Sequence, residues 1–166
     1  MALHRTSCTI AAFFLFAAAA TSQENMITHH ATGTFDVKIV PQKPDNQPAE
    51  TAKLGRMSID KQFHGDINGT SQGEMLSLMT ETKGSGVYVA IELVNASLQG
   101  RSGSFALHHT GVMTRGAPNL TVTVVPDSGT DQLTGITGTF VIRIEAGGKH
   151  FYDFDYTLPD TPPVDR

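Results

Sequence analysis

Three ionisable side chains fall among apolar neighbours in segments that alternate like β-strands. Glu74 shares one face of its segment with Leu76, and His109 shares one face of its segment with Leu107. Glu92 lies in a segment that is apolar on both faces, so alternation alone does not decide its direction. If all three point into a core, two carboxylates and one imidazole meet in a water-poor space.

Such a set of groups is able to move protons. Removal from water raises carboxyl pKa values, a neighbouring imidazolium lowers them, and groups tuned in this way serve as general acids and bases. Tyr88 lies on the same side of its segment as Glu92 and adds a hydroxyl group. We therefore predict Glu74, Glu92, His109 and Tyr88 as ligand-binding residues, and we assign no catalytic residue. The alternatives are a hydrogen-bonded core cluster and residues at the wet ends of a barrel.

The sequence predicts no metal or cofactor site. In the pairs His29-His30 and His108-His109, adjacent side chains point to opposite faces of a strand, so neither pair grips one ion easily. Residues 66–70 begin like a calcium loop but lack its glycine at position six and its late glutamate. Phosphate-loop, zincin and nucleophile-elbow motifs are absent from the sequence.

The segments that must position these residues have the pattern of β-strands. From residue 31 onward, apolar and polar residues alternate between breaks rich in Gly, Asn and Pro. Asn68-Gly69 and Gly147-Gly148 are typical of turns, and no stretch of ten residues keeps a helical period. The pattern predicts about eight strands, near residues 34–39, 57–64, 74–79, 87–94, 104–110, 120–125, 139–145 and 151–158.

Antiparallel strands with one apolar face must bury that face, and here no helices are predicted to cover it. We therefore predict an all-β domain that forms a closed antiparallel eight-stranded barrel, with a two-sheet sandwich as the alternative. The repeat Thr-Gly-Thr-Phe, at residues 32–35 and 137–140, suits a strand in which Gly permits a tight bend and Phe fills the interior.

Residues 1–22 have the layout of a secretory signal peptide, with a short basic start, an apolar run over 10–20 and small residues suited to cleavage. The run is shorter than the roughly 20 residues of a spanning helix, so we expect no membrane association after cleavage. The predicted organisation is a signal peptide at 1–22, one barrel domain at 26–158 and a flexible tail at 159–166. The expected location is the periplasm or the outside of the cell.

Size and charge limit the partners that the chain is expected to bind. Its 166 residues suit one domain with a core of its own. The formal net charge is -4, and no window holds five basic residues. A surface that neutralises phosphates is therefore not expected, and we predict no nucleic-acid partner.

Several segments resemble an uncharacterised family, the domain of unknown function 3224. They include MITHHATGTFDVKI, FHGDINGTSQGEM, LQGRSGSFALHHTG, VPDSGTDQLTGITGTF and FYDFDYTL, and they span residues 26–158 in the right order. The resemblance implies a small barrel similar in fold to allene oxide cyclase. It implies no chemistry, because the catalytic motif of the cyclase has no match in this sequence.

These observations predict an exported β-barrel protein that binds a small, mostly apolar ligand inside the barrel and needs no cofactor. The first alternative is a cofactor-free enzyme of cyclase or isomerase type. Whether the protein is an enzyme is left open, and the observations favour a protein without catalytic activity. The second is a structural or assembly protein with a packed barrel. Association into homo-oligomers is left open.

Overall fold

The computed structural model describes residues 27–52 and 54–159. The predicted signal peptide at 1–22 and nearly all of the predicted tail lie outside these residues. The described chain forms eight strands, a one-turn helix α1 (Gln47–Thr51) and a short 3-10 turn (Asp131–Leu133). The strands are β1 (Ile27–Gln42), β2 (Gly55–Gly65), β3 (Ile67–Met79), β4 (Gly86–Leu98), β5 (Arg101–Thr114), β6 (Ala117–Val124), β7 (Thr137–Ile144) and β8 (His150–Leu158).

Each strand pairs with the next in antiparallel register, and β1 also pairs with β8. The sheet therefore closes into an eight-stranded barrel, which confirms the predicted barrel and rejects the sandwich. The weakest seam joins β6 to β7 through the single residue pair Thr123 and Thr139, so most of the facing edges of these two strands is unpaired. None of the helices in the described residues is long and apolar enough to cross a membrane.

One end of the barrel, which we call the closed end, is filled by aromatic rings. It lies where β2 turns into β3 and β4 turns into β5. The rings of Phe63 and Tyr152 meet edge to face at 5.8 Å, and those of Phe140 and Tyr152 stack at 5.2 Å. The segment 125–136 lies across this end and buries Leu133 and Ile136.

The repeated Thr-Gly-Thr-Phe motif has a packing reason at the closed end. A side-chain carbon on Gly33 would lie 2.6 Å from the hydroxyl oxygen of Tyr152, and one on Gly138 would lie 2.8 Å from Cε2 of Phe154. Glycine is therefore required where the rings of β8 cross the neighbouring strands. The two copies of the motif repeat one packing solution on both sides of β8.

The predicted turn at Asn68-Gly69 is wrong, because both residues lie inside β3. The chain instead reverses at Gly65-Asp66, where Gly65 has a positive φ of 109° that a side chain disfavours. The carboxylate of Asp66 accepts a hydrogen bond of 2.7 Å from the backbone N–H of Thr32. β3 consequently starts seven residues earlier than its alternation predicted, at Ile67 instead of Glu74.

Candidate functional site

The middle of the barrel holds a buried polar cluster centred on Glu92. One of its carboxylate oxygens, Oε1, accepts hydrogen bonds from Nζ of Lys61 at 2.6 Å and from Nε2 of His109 at 2.9 Å. The other oxygen, Oε2, accepts a hydrogen bond of 2.7 Å from Oγ of Ser71. We call these four residues, Lys61, Ser71, Glu92 and His109, the central cluster; all four are buried.

Strand register brings the cluster together from four neighbouring strands. Lys61 on β2 lies opposite Ser71 on β3, and both point inward. Glu92 on β4 lies opposite Leu107 of β5, and His109 is the next inward residue of β5 after Leu107. Glu92 and His109 both point inward and are thus diagonal neighbours in the wall. Residues two apart share a face of a strand, so each group takes an inward position that an apolar side chain occupies elsewhere in the barrel.

The cluster keeps Glu92 ionised. Burial by itself would raise the pKa of Glu92, but the hydrogen bond from His109 and the charge of Lys61 outweigh burial and lower that pKa to about 2. Because an ionised carboxylate only accepts, His109 donates through Nε2. The Nζ atom of Lys61 also lies 4.9 Å from the centre of the Phe35 ring, within the range of a cation–π contact.

The end of the barrel opposite the aromatic rings is an open cup. Its cavity has a volume of about 360 Å³. The inward-facing side chains in its wall are mostly flexible and apolar: Met57, Met75, Ser77, Met79, Tyr88, Met113, Pro118 and Leu120. We call this cavity the methionine cup.

Tyr88 links the methionine cup to the central cluster. Its ring lies against Gly111, where any side-chain carbon would collide with the ring edge. Along β4 the successive inward positions are Tyr88, Ala90 and Glu92. Tyr88 in the wall of the cup is therefore two inward positions away from Glu92, toward the open end. Burial, and then the charge of Glu92, raise the pKa of Tyr88, which keeps its hydroxyl protonated as a hydrogen-bond donor.

Comparison with known proteins agrees with the barrel. The family model described as "Protein of unknown function (DUF3224)" matches residues 31–156. The chain belongs to the DUF3224 family. It is similar to the crystal structure of a DUF3224 protein of unknown function from Shewanella oneidensis MR-1, with 47% identity and a TM-score of 0.72 over 82% of this chain and 99% of that one. None of the curated proteins matches the chain.

Of the four predicted site residues of this DUF3224 chain, the structure brings three into the barrel. Glu92 and His109 are hydrogen-bonded to each other, and Tyr88 lies above them in the wall of the cup. The predicted inward direction of Glu74 is wrong. Glu74 lies on the outer face of β3, where Nε and Nη2 of Arg56 donate hydrogen bonds of 2.9 and 3.0 Å to its carboxylate.

The apolar neighbours of Glu74 explain that error. The face that Glu74 shares with Leu76 is predicted to point into a core, yet 55% of the surface of Leu76 is exposed on the outside, and Leu78 on the same face is 36% exposed. The residues of β3 that point inward are small or flexible, such as Ser71 and Met75. Arg56 holds the pKa of Glu74 below its usual value, mainly through these hydrogen bonds.

Sequence reasoning missed Lys61 and Ser71. The signal for Lys61 was present, because Lys61 stands two residues after Ile59 and two residues before Phe63, on the apolar face of its strand. A charged residue in that position either breaks the strand pattern or has a buried partner. Ser71 gave no comparable signal, since serine occurs on both faces of strands.

The buried polar side chains of the described residues all have partners within the protein. No buried side-chain nitrogen or oxygen among them lacks a hydrogen-bond partner. Within residues 27–52 and 54–159, no group of three or more His, Cys, Asp or Glu residues is placed to hold a metal ion. The cup is an apolar space, and none of the four residues of the central cluster is among those that line it.

Proposed function

We propose that this DUF3224 protein binds a small, mostly apolar molecule in the methionine cup. The observation that carries the proposal is the cavity of about 360 Å³ at the open end, which lies within the roughly 300–1,000 Å³ typical of ligand pockets. An apolar cavity of this kind gains little from holding water, because it offers water few hydrogen-bond partners.

The residues of the cup suggest the chemistry of the ligand. Methionine side chains are unbranched and polarisable, so Met57, Met75 and Met113 are able to fit different apolar shapes. Within the described residues, the Tyr88 hydroxyl makes no hydrogen bond to protein, and it is left to donate one to a ligand. We infer a ligand with an apolar body and one acceptor atom, such as a carbonyl or ether oxygen.

The cyclase or isomerase alternative has less support than binding. An acid–base reaction needs a group that reaches the substrate with a proton to give or take. Glu92, Lys61 and His109 hold one another and lie below the cup lining. We propose that they support the wall of the cup from below without touching the ligand, and we assign them no catalytic step.

Fluorescence titration with 6-acetyl-2-(dimethylamino)naphthalene, a neutral probe with one carbonyl oxygen, tests the proposal. We expect binding with a blue-shifted emission, and loss of binding in Leu120→Trp, which fills the cup from its wall at the level of Tyr88. Tyr88→Phe removes the donor and should weaken binding by about two- to tenfold. The same change should leave 2-(dimethylamino)naphthalene, which lacks the carbonyl, unaffected.

The control is Val141→Trp, which adds the same ring to the exposed outer face of β7 and should bind the probe like the unaltered protein. If Leu120→Trp stays folded by circular dichroism and still binds the probe with unchanged affinity, the cup is not the binding site and the proposal fails.

We also propose that the chain is exported, on the basis of its N-terminal 22 residues. Mass spectrometry of the protein purified from its native host measures the N-terminus directly. A start near residue 21 or 23 supports cleavage after small residues. A start at Met26 with no upstream peptide would overturn export, because it would leave no signal.

A further inference from the structure

Methionine is concentrated in the methionine cup. The sequence holds six methionines, and the structure describes four of them. All four line the cup: Met57, Met75, Met79 and Met113. An apolar lining does not by itself call for methionine, because leucine fills inward positions deeper in the barrel, such as Leu98 and Leu107. What methionine adds is a polarisable thioether sulfur, which is a ligand for soft metal ions.

The strand register divides these methionines between two levels of the cup. At the level nearer the central cluster, Met57 on β2 lies directly opposite Met75 on β3. Met79 and Met113 lie four residues further toward the open end, on either side of Gly86. The sulfur of Met79 lies over Gly86, 2.5 Å from the place that a side-chain carbon of that glycine would take. Four residues of a strand span roughly 13 Å, so one ion is not shared between the two levels.

His109 lies at the same level as Met57 and Met75. Ala90 on β4 is opposite Met75 on one side and opposite His109 on the other, so one small side chain separates them. Neighbouring strands are about 4.8 Å apart, which puts the Cα atoms of Met75 and His109 about 10 Å apart. Two inward side chains with an ion between them span that distance. We call Met57, Met75 and His109 the lower row.

One ring nitrogen of His109 has no partner and suits a metal ion. Nε2 is hydrogen-bonded to Glu92, whereas Nδ1 makes no hydrogen bond to any of the described residues. Nδ1 is also in contact with open space, because every fully buried side-chain nitrogen in the described part of the chain has a partner. Histidines that bind metals commonly donate their other ring N–H to a carboxylate, which fixes the ring and the tautomer. Glu92 is such a carboxylate, so the central cluster holds His109 as a ligand.

The charge around the lower row favours a monovalent ion. Two thioethers and a neutral imidazole carry no negative charge, and Lys61 already balances the negative charge of Glu92. A divalent ion would therefore be buried without an anionic ligand, at a higher cost than a monovalent one. Among monovalent ions, Cu(I) prefers soft sulfur ligands, and imidazole also binds copper.

We propose that Met57, Met75 and His109 bind one Cu(I) ion at the base of the methionine cup, next to the central cluster. No local motif predicts this site, because its ligands come from β2, β3 and β5 and become neighbours only through the strand register. The proposal is independent of the apolar ligand, since exchange of methionine for leucine removes a metal ligand but keeps the cup apolar.

Competition for Cu(I) between the protein and the coloured chelator bicinchoninate, with ascorbate as reductant and without oxygen, tests the proposal. The full chain carries Cys8→Ser, which removes the only thiol of the sequence. We expect one Cu(I) per chain. Met57→Leu and Met75→Leu should each raise the dissociation constant at least about tenfold, because each removes one of three ligands. X-ray absorption at the copper edge should show two sulfur neighbours and one nitrogen neighbour.

Met113→Leu is the matched control, because it makes the same change at the other level of the same cup. It should leave the dissociation constant for Cu(I) unchanged. All three leucine variants should still bind 6-acetyl-2-(dimethylamino)naphthalene, since leucine and methionine have similar volumes. A protein that binds this probe but no Cu(I) would overturn the metal site alone. A protein that binds Cu(I) but not the probe would overturn the apolar ligand alone.

Two further results would overturn the metal site. Folded Met57→Leu and Met75→Leu variants that bind Cu(I) as tightly as the Cys8→Ser chain would assign the ion to histidines on the surface. A Met113→Leu variant that loses as much affinity as Met75→Leu would move the ion to the level of Met79 and Met113, away from His109.

Discussion

The two ends of this barrel are built from the same eight strands but are filled in different ways. At the closed end, Phe63, Phe105 and Tyr152 are completely buried; the ring of Phe63 meets that of Tyr152, and the ring of Phe105 stacks on that of Phe154. At the open end, Met79 and Met113 are 58% and 38% exposed around a cavity. Rings have few rotamers and pack to high density, whereas methionine adapts its shape. The comparison indicates that one end holds the fold and the other is free to bind.

The central cluster is the boundary between these two ends. Below it, Phe35 and Phe63 lie within 5.9 Å of the Lys61 ammonium group. Above it, Tyr88 opens into the cup. An ion pair with every group hydrogen-bonded is a fixed structure, because any shift would leave a buried charge unpaired. The cluster therefore separates the apolar cup from the aromatic core by a layer of hydrogen-bonded polar groups.

The largest expected effect breaks the closed end. Phe63→Ala removes a fully buried ring that contacts three other rings and should lower the free energy of unfolding by about 3–5 kcal/mol. Met113→Ala at the open end should cost less than about 1 kcal/mol, because that side chain is already partly solvated. Urea denaturation of both variants measures the difference.

Phe63→Leu is a milder substitution, since it keeps most of the buried volume. Its cost in the free energy of unfolding should lie between those of Phe63→Ala and Met113→Ala. Equal costs for Phe63→Ala and Met113→Ala would contradict the division of the barrel into a closed and an open end.

A smaller effect should appear with pH at the boundary. The pKa of Glu92 is about 2 in the folded protein against 4.5 for an ordinary glutamate. The stabilisation from its carboxylate is therefore complete above about pH 5 and is lost as the pH falls through the folded pKa, a change of up to about 3 kcal/mol. Denaturation curves between pH 6 and pH 2 measure it.

Glu92→Gln removes the titrating group, so the stability gap between this variant and the unaltered protein should shrink as the pH falls. Glu74→Gln is the control on the outer surface. Arg56 lowers the pKa of Glu74 as well, but water screens this exposed ion pair. The difference in stability between Glu74→Gln and the unaltered protein should therefore change little with pH. A gap for Glu92→Gln that stays constant from pH 6 to pH 2 would show that Glu92 is not held ionised in the folded protein.

The barrel itself could be predicted well from the sequence, and the site only in part. Alternation placed Phe35 and Phe140 inside, and the structure confirms both. The same rule failed for Glu74, because β3 and β4 are apolar on their outer faces as well. Where both faces of a strand carry apolar residues, period-two alternation does not tell the inside from the outside.

Lys61 shows the opposite limit. Its place between Ile59 and Phe63 indicated an inward direction, but general experience with lysine favours a solvated position. Glu92 makes the burial of Lys61 favourable by accepting its hydrogen bond. Because Glu92 lies 31 residues away along the chain, the local sequence around Lys61 does not reveal it. A partner at that distance becomes visible only when the strand register is known.

The sequence by itself determined the strand pattern, the need for closure and the apolar character of the interior, because these follow from local alternation and from burying one face of every strand. The tertiary structure decided which polar groups meet, which end of the barrel stays open and which apolar face remains outside. Those outcomes depend on the register between strands and on the level that each side chain reaches. Both are set by the closed sheet as a whole and by no single segment.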